Sequence, residues 1–163
     1  MYDVKISKQQ FYQESKTYES GQSAKIAKLK VNGKYYKIGM TICYDLRFPH
    51  LFRDLALNGA DLITVPSVFM YITGKDHWHS LLKARAIETG CYIVAPAQYG
   101  HYFNKRKSYG HSLIISPWGK ILKDAKTEKN IIIADIDKRQ IEISRSKIPS
   151  LFINKKYKIN LMI

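Results

Sequence analysis

The chain is poor in cysteine and in acidic residues, and it has no long apolar run. Two cysteines, Cys43 and Cys91, in 163 residues exclude the disulfide framework of a small secreted domain. They form no CxxC pair and have no zinc spacing. No segment reaches the length of a transmembrane helix, and Asp3 and Lys5 interrupt the N-terminus where a signal peptide needs an apolar core. The expectation is a cytoplasmic protein with no membrane partner. Acidic residues number 13 against 27 lysines and arginines, giving a formal net charge of +14. That balance raises nucleic acid as a partner. The lysines, however, are scattered from Lys5 to Lys158. Only two short clusters stand out, Lys105-Arg106-Lys107 and Lys155-Lys156, with no arginine-rich block and no nucleic-acid motif. The charge therefore reads as solvated surface, with no nucleic-acid partner. Internal repeats and low-complexity segments are also absent.

What is present is enough for one domain with a real core: 45% hydrophobic and 25% charged residues. Residues 1–34 read as polar and irregular. The Asn32-Gly33 turn predicts a hairpin whose second strand is Lys34–Ile42. Leu51, Leu55 and Ala56 recur at helical spacing within Asp45–Gly59. DLITVP (61–66) is a short buried strand, followed by a loop to Lys75. Asp76 is a candidate cap for a helix over His77–Thr89, which Gly90 stops. CYIVAPA is again a strand, Tyr99–Lys107 a basic loop, and SYGHSLIIS a strand. Pro117–Lys120 then turns into a partner strand at Ile121-Leu122. Asn130–Ile136 is the expected last strand and Lys138–Lys147 a last helix. Two successive βα units followed by tightly joined strands imply an α/β layered fold with a mixed sheet.

Cys43 ends the apolar run KYYKIGMTIC, where a strand gives way to a helix. A thiol there is placed for nucleophilic chemistry, beside backbone N–H groups at a helix start. The same residue also fits an ordinary buried strand cysteine. None of the histidines at 50, 77, 79, 101 and 111 is paired with it by spacing. Cys91 lies in an apolar strand and reads as core.

Four segments occur in series: CYDLRFPHLF, GADLITVPSVF, TGKDHWHSLLKARAIETGCYIVAPAQ and SYGHSLIISPWGKIL. Together they resemble the carbon–nitrogen hydrolase (nitrilase) superfamily, and within it the Nit-type amidase branch, from about Met1 to Pro149. The resemblance implies the C-terminal part of that superfamily's αββα sandwich: a partial domain over residues 1–150 and a basic tail over 151–163. It makes Cys43 the nucleophile that attacks an amide carbon and passes through a thioester. It makes the backbone N–H of Tyr44 an oxyanion donor. Glu14, in Gln13-Glu14-Ser15-Lys16-Thr17, becomes the supporting carboxylate. Arg47 is either a fork for a substrate carboxylate or an ion-pair partner of Asp45 or a helix carboxylate. Phe69, Tyr71 and Thr73 fall on the pocket loop. His77, Trp78, His111 and Trp118 are assigned structural roles.

In the same register Met1-Tyr2-Asp3-Val4 matches the last part of the K-x-H-[LM]-[FY]-D motif. The oxyanion-stabilising lysine then falls before Met1, with the base glutamate farther upstream, and Lys5 and Lys8 do not replace it. IETGCYIVAPAQYGH and KRKSYGHS are closer to the deaminated-glutathione amidases than to the ω-amidases. The implied substrate is a small amide bearing a carboxylate, with ω-amidase action on 2-oxoglutaramate as the alternative. A catalytically inactive fragment, or one that works beside a separate N-terminal piece, is the reading from another class. The resemblance implies no cofactor, no metal, and a homodimer for the full-length protein.

Overall fold

The computed structural model describes residues 3–7, 10–102 and 106–161. Met1, Tyr2, Lys8 and Lys105, and the last two residues of the tail, lie outside them. A six-stranded mixed sheet forms the centre. Its strands are β3 (Lys25–Val31), β4 (Lys34–Met40), β5 (Leu62–Thr64), β6 (Tyr92–Ala95), β9 (Leu113–Ile115) and β10 (Ile121–Asp124), in the spatial order β10-β9-β6-β5-β4-β3. Strands β4, β5 and β6 are parallel, and the flanking strands run antiparallel. The parallel strands are joined by α1 (Pro49–Leu57) and α2 (Tyr71–Thr89), as a parallel pair requires. Helix α3 (Lys138–Lys147) follows the sheet and packs its Ile141 inward.

Register explains which face is covered. Ile26, Gly39, Ile63, Ile93 and Ile115 are in-register partners across five strands, so they share one face. Gly39, Ile63, Ile93 and Ile115 are buried beneath Leu46, Phe52, Leu55, Trp78, Leu82 and Ala86. Gly39 has no side chain to hold off α1: a Cβ there would stand 3.2 Å from Leu55 Cδ1. The next row, Lys25, Met40, Thr64, Val94 and Ile114, faces the other way. Met40 is 55% exposed on that face, and Leu29 and Val31 of β3 are also exposed.

The Asn32-Gly33 hairpin forms as expected, with positive φ at both turn residues. Six expectations are corrected. Residues 1–34 are not irregular throughout, because β1 (Asp3–Ser7) and β2 (Gln10–Gln13) pair as a hairpin. The first helix begins at Pro49, after a 3₁₀ turn over Cys43–Arg47. Helix α2 starts at Tyr71 rather than His77, so Asp76 lies inside it and caps nothing; Met70 is the N-cap. Its early start is fixed by packing, since a Cβ on Gly74 would lie 2.4 Å from Tyr109 Cβ. The basic loop is instead a hairpin of β7 (Tyr99–Tyr102) and β8 (Arg106–Tyr109). Gly110 and His111, both at positive φ, separate β8 from β9, so SYGHSLIIS is not one strand. Residues 130–136, expected as the last strand, carry no ladder. Ile131 and Ile133 are 84% and 75% exposed, so the alternating pattern is left without a strand partner. The chain stays packed as far as Leu151, which is buried and whose carbonyl accepts from Arg53.

Candidate functional site

The parallel strands point their carboxyl ends at a common cleft, the usual ligand position in open α/β sheets. Just beyond β4 the backbone turns sharply at Cys43, which has φ +44, in the left-handed region disfavoured for a residue with a Cβ. The turn is held on both sides. Cys43 N–H donates to Pro66 O at 2.9 Å, and Ile42 N–H donates to the Asp45 carboxylate at 2.9 Å. The next strand ends continue the ladder outward, with Ser67 N–H on Pro96 O at 2.9 Å and Gln98 N–H on Ser67 O at 3.0 Å. The thiol is thus carried on a rigid corner rather than a loop.

A cleft of about 620 Å³ opens at Cys43 and is lined by Tyr44, Arg47, Phe69 and Thr73, with Glu14 and Ser108 also on its walls. The sequence-assigned residues are therefore brought together, from β2–β3, the 43–47 turn and the start of α2. Glu14 is placed by a turn that the β1–β2 hairpin anchors: Ser15 N–H donates to Asp3 Oδ1 at 3.0 Å, and Glu14 O accepts from Thr17 and Tyr18. Phe69 is buried against Trp78, with ring centroids 4.9 Å apart. Thr73 Oγ1 donates to Met70 O at 3.4 Å.

Arg47 differs from one of its two expected states. Asp45 is engaged with Ile42 N–H, and among the described residues no carboxylate pairs with Arg47. Its guanidinium instead lies over Phe69 and Tyr44, at 5.4 and 5.8 Å from the ring centroids, with Nη2 3.4 Å from His77 Nδ1. His77 was assigned a structural role by sequence. Its partner is thirty positions away, a distance that no local spacing reveals. Trp78 is structural as expected: fully buried, with Nε1–H donating to His111 O at 2.8 Å.

The electrostatics do not favour thiolate. Burial pushes the Cys43 thiol above the ordinary thiol range, opposed by hydrogen bonds to the Val68 backbone and the Ser67 side chain. The negative charges of Glu14 and Asp45 add to the rise. No lysine lines the cleft among the described residues. The geometry therefore brings a thiol, a guanidinium and a carboxylate to one cleft, with no lysine on it among the described residues. Among the described residues, no helix is long and apolar enough to cross a membrane.

Comparison with known proteins places this arrangement. Residues 3–145 match the carbon-nitrogen hydrolase family. The chain is 43% identical over 151 residues to a deaminated glutathione amidase of Synechocystis, covering 93% of this chain and 55% of that protein. It is 45% identical over 164 residues to the deaminated glutathione amidase of Dictyostelium discoideum, covering 98% and 55%. The crystal structure of the C. elegans NitFhit protein superposes with a TM-score of 0.83 at 35% identity, over 95% of this chain and 37% of that one. The chain thus spans about half the length of the curated relatives it matches. From the ordered motifs, the sheet that carries them and these matches together, the chain belongs to the carbon–nitrogen hydrolase family.

Proposed function

We propose that this chain supplies the nucleophile and the substrate-orienting arginine of an amidase that cleaves a small linear amide carrying a carboxylate, of the deaminated-glutathione type. The observation that carries the reading is the pairing of Cys43, at a strained corner on the cleft, with an Arg47 guanidinium that faces the same cleft and, among the described residues, has no carboxylate partner. The Cys43 sulfur attacks the amide carbon as its proton is taken up. The C–N bond breaks, the protonated nitrogen leaves as ammonia or an amine, and water hydrolyses the thioester to release the acid and restore the thiol. Glu14 is the supporting carboxylate and the Tyr44 N–H an oxyanion donor; Phe69 and Thr73 shape the substrate site. The assembly is proposed to be a cytoplasmic homodimer.

The raised thiol and the absence of a lysine among the described residues that line the cleft favour a second statement: alone, the chain does not turn over. It requires a further part of the family fold to supply a cation and a base. Ammonia release from deaminated glutathione and from 2-oxoglutaramate tests both points, on the chain alone and joined to an N-terminal half carrying the lysine motif. The expected result is no release alone, with preference for deaminated glutathione when joined. Preference for 2-oxoglutaramate overturns the substrate, and Cys43-dependent release by the chain alone overturns the second statement.

A further inference from the structure

Away from the Cys43 cleft, three ligand-type side chains from three elements converge. His79 comes from α2, His111 from the turn before β9, and Asp124 from the end of β10, and their ligand atoms lie within 4.8 Å of one another. His111 Nδ1 is 3.1 Å from Asp124 Oδ1, and His79 Nε2 is 3.5 Å from Asp124 Oδ2. None of the three lines the cleft.

We propose that these residues form a site for one borderline divalent transition ion such as Zn²⁺, with solvent in the fourth position. Two imidazoles and one carboxylate are the donor set such an ion prefers. Tetrahedral bonds of about 2.0–2.1 Å require donor–donor edges of about 3.3 Å. Taken to the single oxygen Asp124 Oδ2, the two carboxylate–imidazole edges are 3.2 Å to His111 Nδ1 and 3.5 Å to His79 Nε2, which bracket that value, and only the imidazole–imidazole edge has to close. The rings are also held from behind. Tyr109 OH is 3.5 Å from His79 Nδ1, so it can accept that N–H and leave Nε2 free to ligate. The Tyr109 ring stacks on His111 at 4.4 Å. The unusual His111 backbone, φ +57, is locked by its N–H on Lys126 O at 2.7 Å and by the Trp78 indole on its carbonyl. One competitor is present: Lys126 Nζ sits 2.8 Å from Asp124 Oδ2. Its side chain is 66% exposed, so an incoming ion displaces it into solvent. Displacement makes the site moderate in affinity and sensitive to that lysine.

The test is titration of the whole 163-residue chain, carrying Cys43→Ser so that this thiol takes no metal. Zn²⁺ binding is followed by calorimetry and Co²⁺ binding by its visible absorption. One ion per chain with a tetrahedral Co²⁺ spectrum is expected. His79→Ala and Asp124→Asn are each expected to weaken binding about 100-fold in chains whose circular dichroism is unchanged. Lys126→Met changes an exposed side chain and is expected to tighten binding about tenfold. Lack of saturable binding overturns the proposal, as does affinity undiminished in Asp124→Asn, or unchanged or weaker in Lys126→Met.

Discussion

The two cysteines sit at opposite ends of the same parallel strands, and their surroundings differ in kind. Cys43 follows the carboxyl end of β4, at positive φ and beside open space. Cys91 precedes the amino end of β6, fully buried. Its thiol donates to Ala60 O at 3.2 Å, and Arg145 Nη2 donates to its sulfur at 3.1 Å. Burial raises both thiols, yet among the described residues it is Cys91 that has a cation against its sulfur, and that arginine is spent on structure. Arg145 also donates to Thr89 O and Ala60 O, tying α3 to the end of α2 and the start of β5. A low-lying positive charge near sulfur is therefore no sign of reactivity by itself. Access and strand polarity separate the chemical end of the sheet from the stapled end.

The largest effect expected from breaking this contrast is on turnover. In the joined two-part enzyme, Cys43→Ser should lower ammonia release by about 10³-fold or more, because cooperating catalytic groups fail together. Cys91→Ser should leave it within about twofold, and an equal loss in both removes the distinction. Next is thiol reactivity in the native chain. Mass spectrometry after mild alkylation should find Cys43 modified about 100-fold faster than Cys91, whose burial blocks reagent. Because the Cys43 thiol is raised, its rate should keep climbing as pH passes the ordinary thiol range. A plateau at neutral pH would mean an activating cation already present. Arg47→Lys should raise KM for a carboxylate-bearing amide about tenfold while sparing an uncharged amide, since a lysine cannot form the bidentate fork. The smallest effect is at the stapled end. Arg145→Ala should destabilise the chain by about 1–3 kcal/mol in urea melts, because the Thr89 and Ala60 carbonyls lose their charged donor, with no change in Cys43 alkylation.

Legibility from sequence followed how local the cause is. The β3–β4 hairpin was readable because Asn32-Gly33 dictates its turn. The end of α2 was readable because Gly90, at φ +60, closes it. Its beginning was not, since Tyr71, Ile72 and Thr73 are poor helix formers held there by the Gly74–Tyr109 contact. Asn130–Ile136 has a strand pattern without a strand partner, and pattern alone cannot supply one. Within the site, Cys43 and its motif are contiguous and were assigned directly. Ser67 beneath the thiol, and Phe11, Tyr12 and Tyr18 on the cleft wall, come from other elements and carry no local signature.

The lysines of β3 acquire a meaning from their position. This strand is a sheet edge, and Lys25, Lys28 and Lys30 are exposed along it, next to the uncovered face that shows Leu29, Val31 and Met40. Edge lysines oppose strand-to-strand addition of like chains, because each added copy brings the same charges into register. The excess of +14 thus behaves as a colloidal barrier. Added salt should lower that barrier and let the apolar face find partners, so the ionic strength at which the chain begins to self-associate measures how much of its solubility is electrostatic.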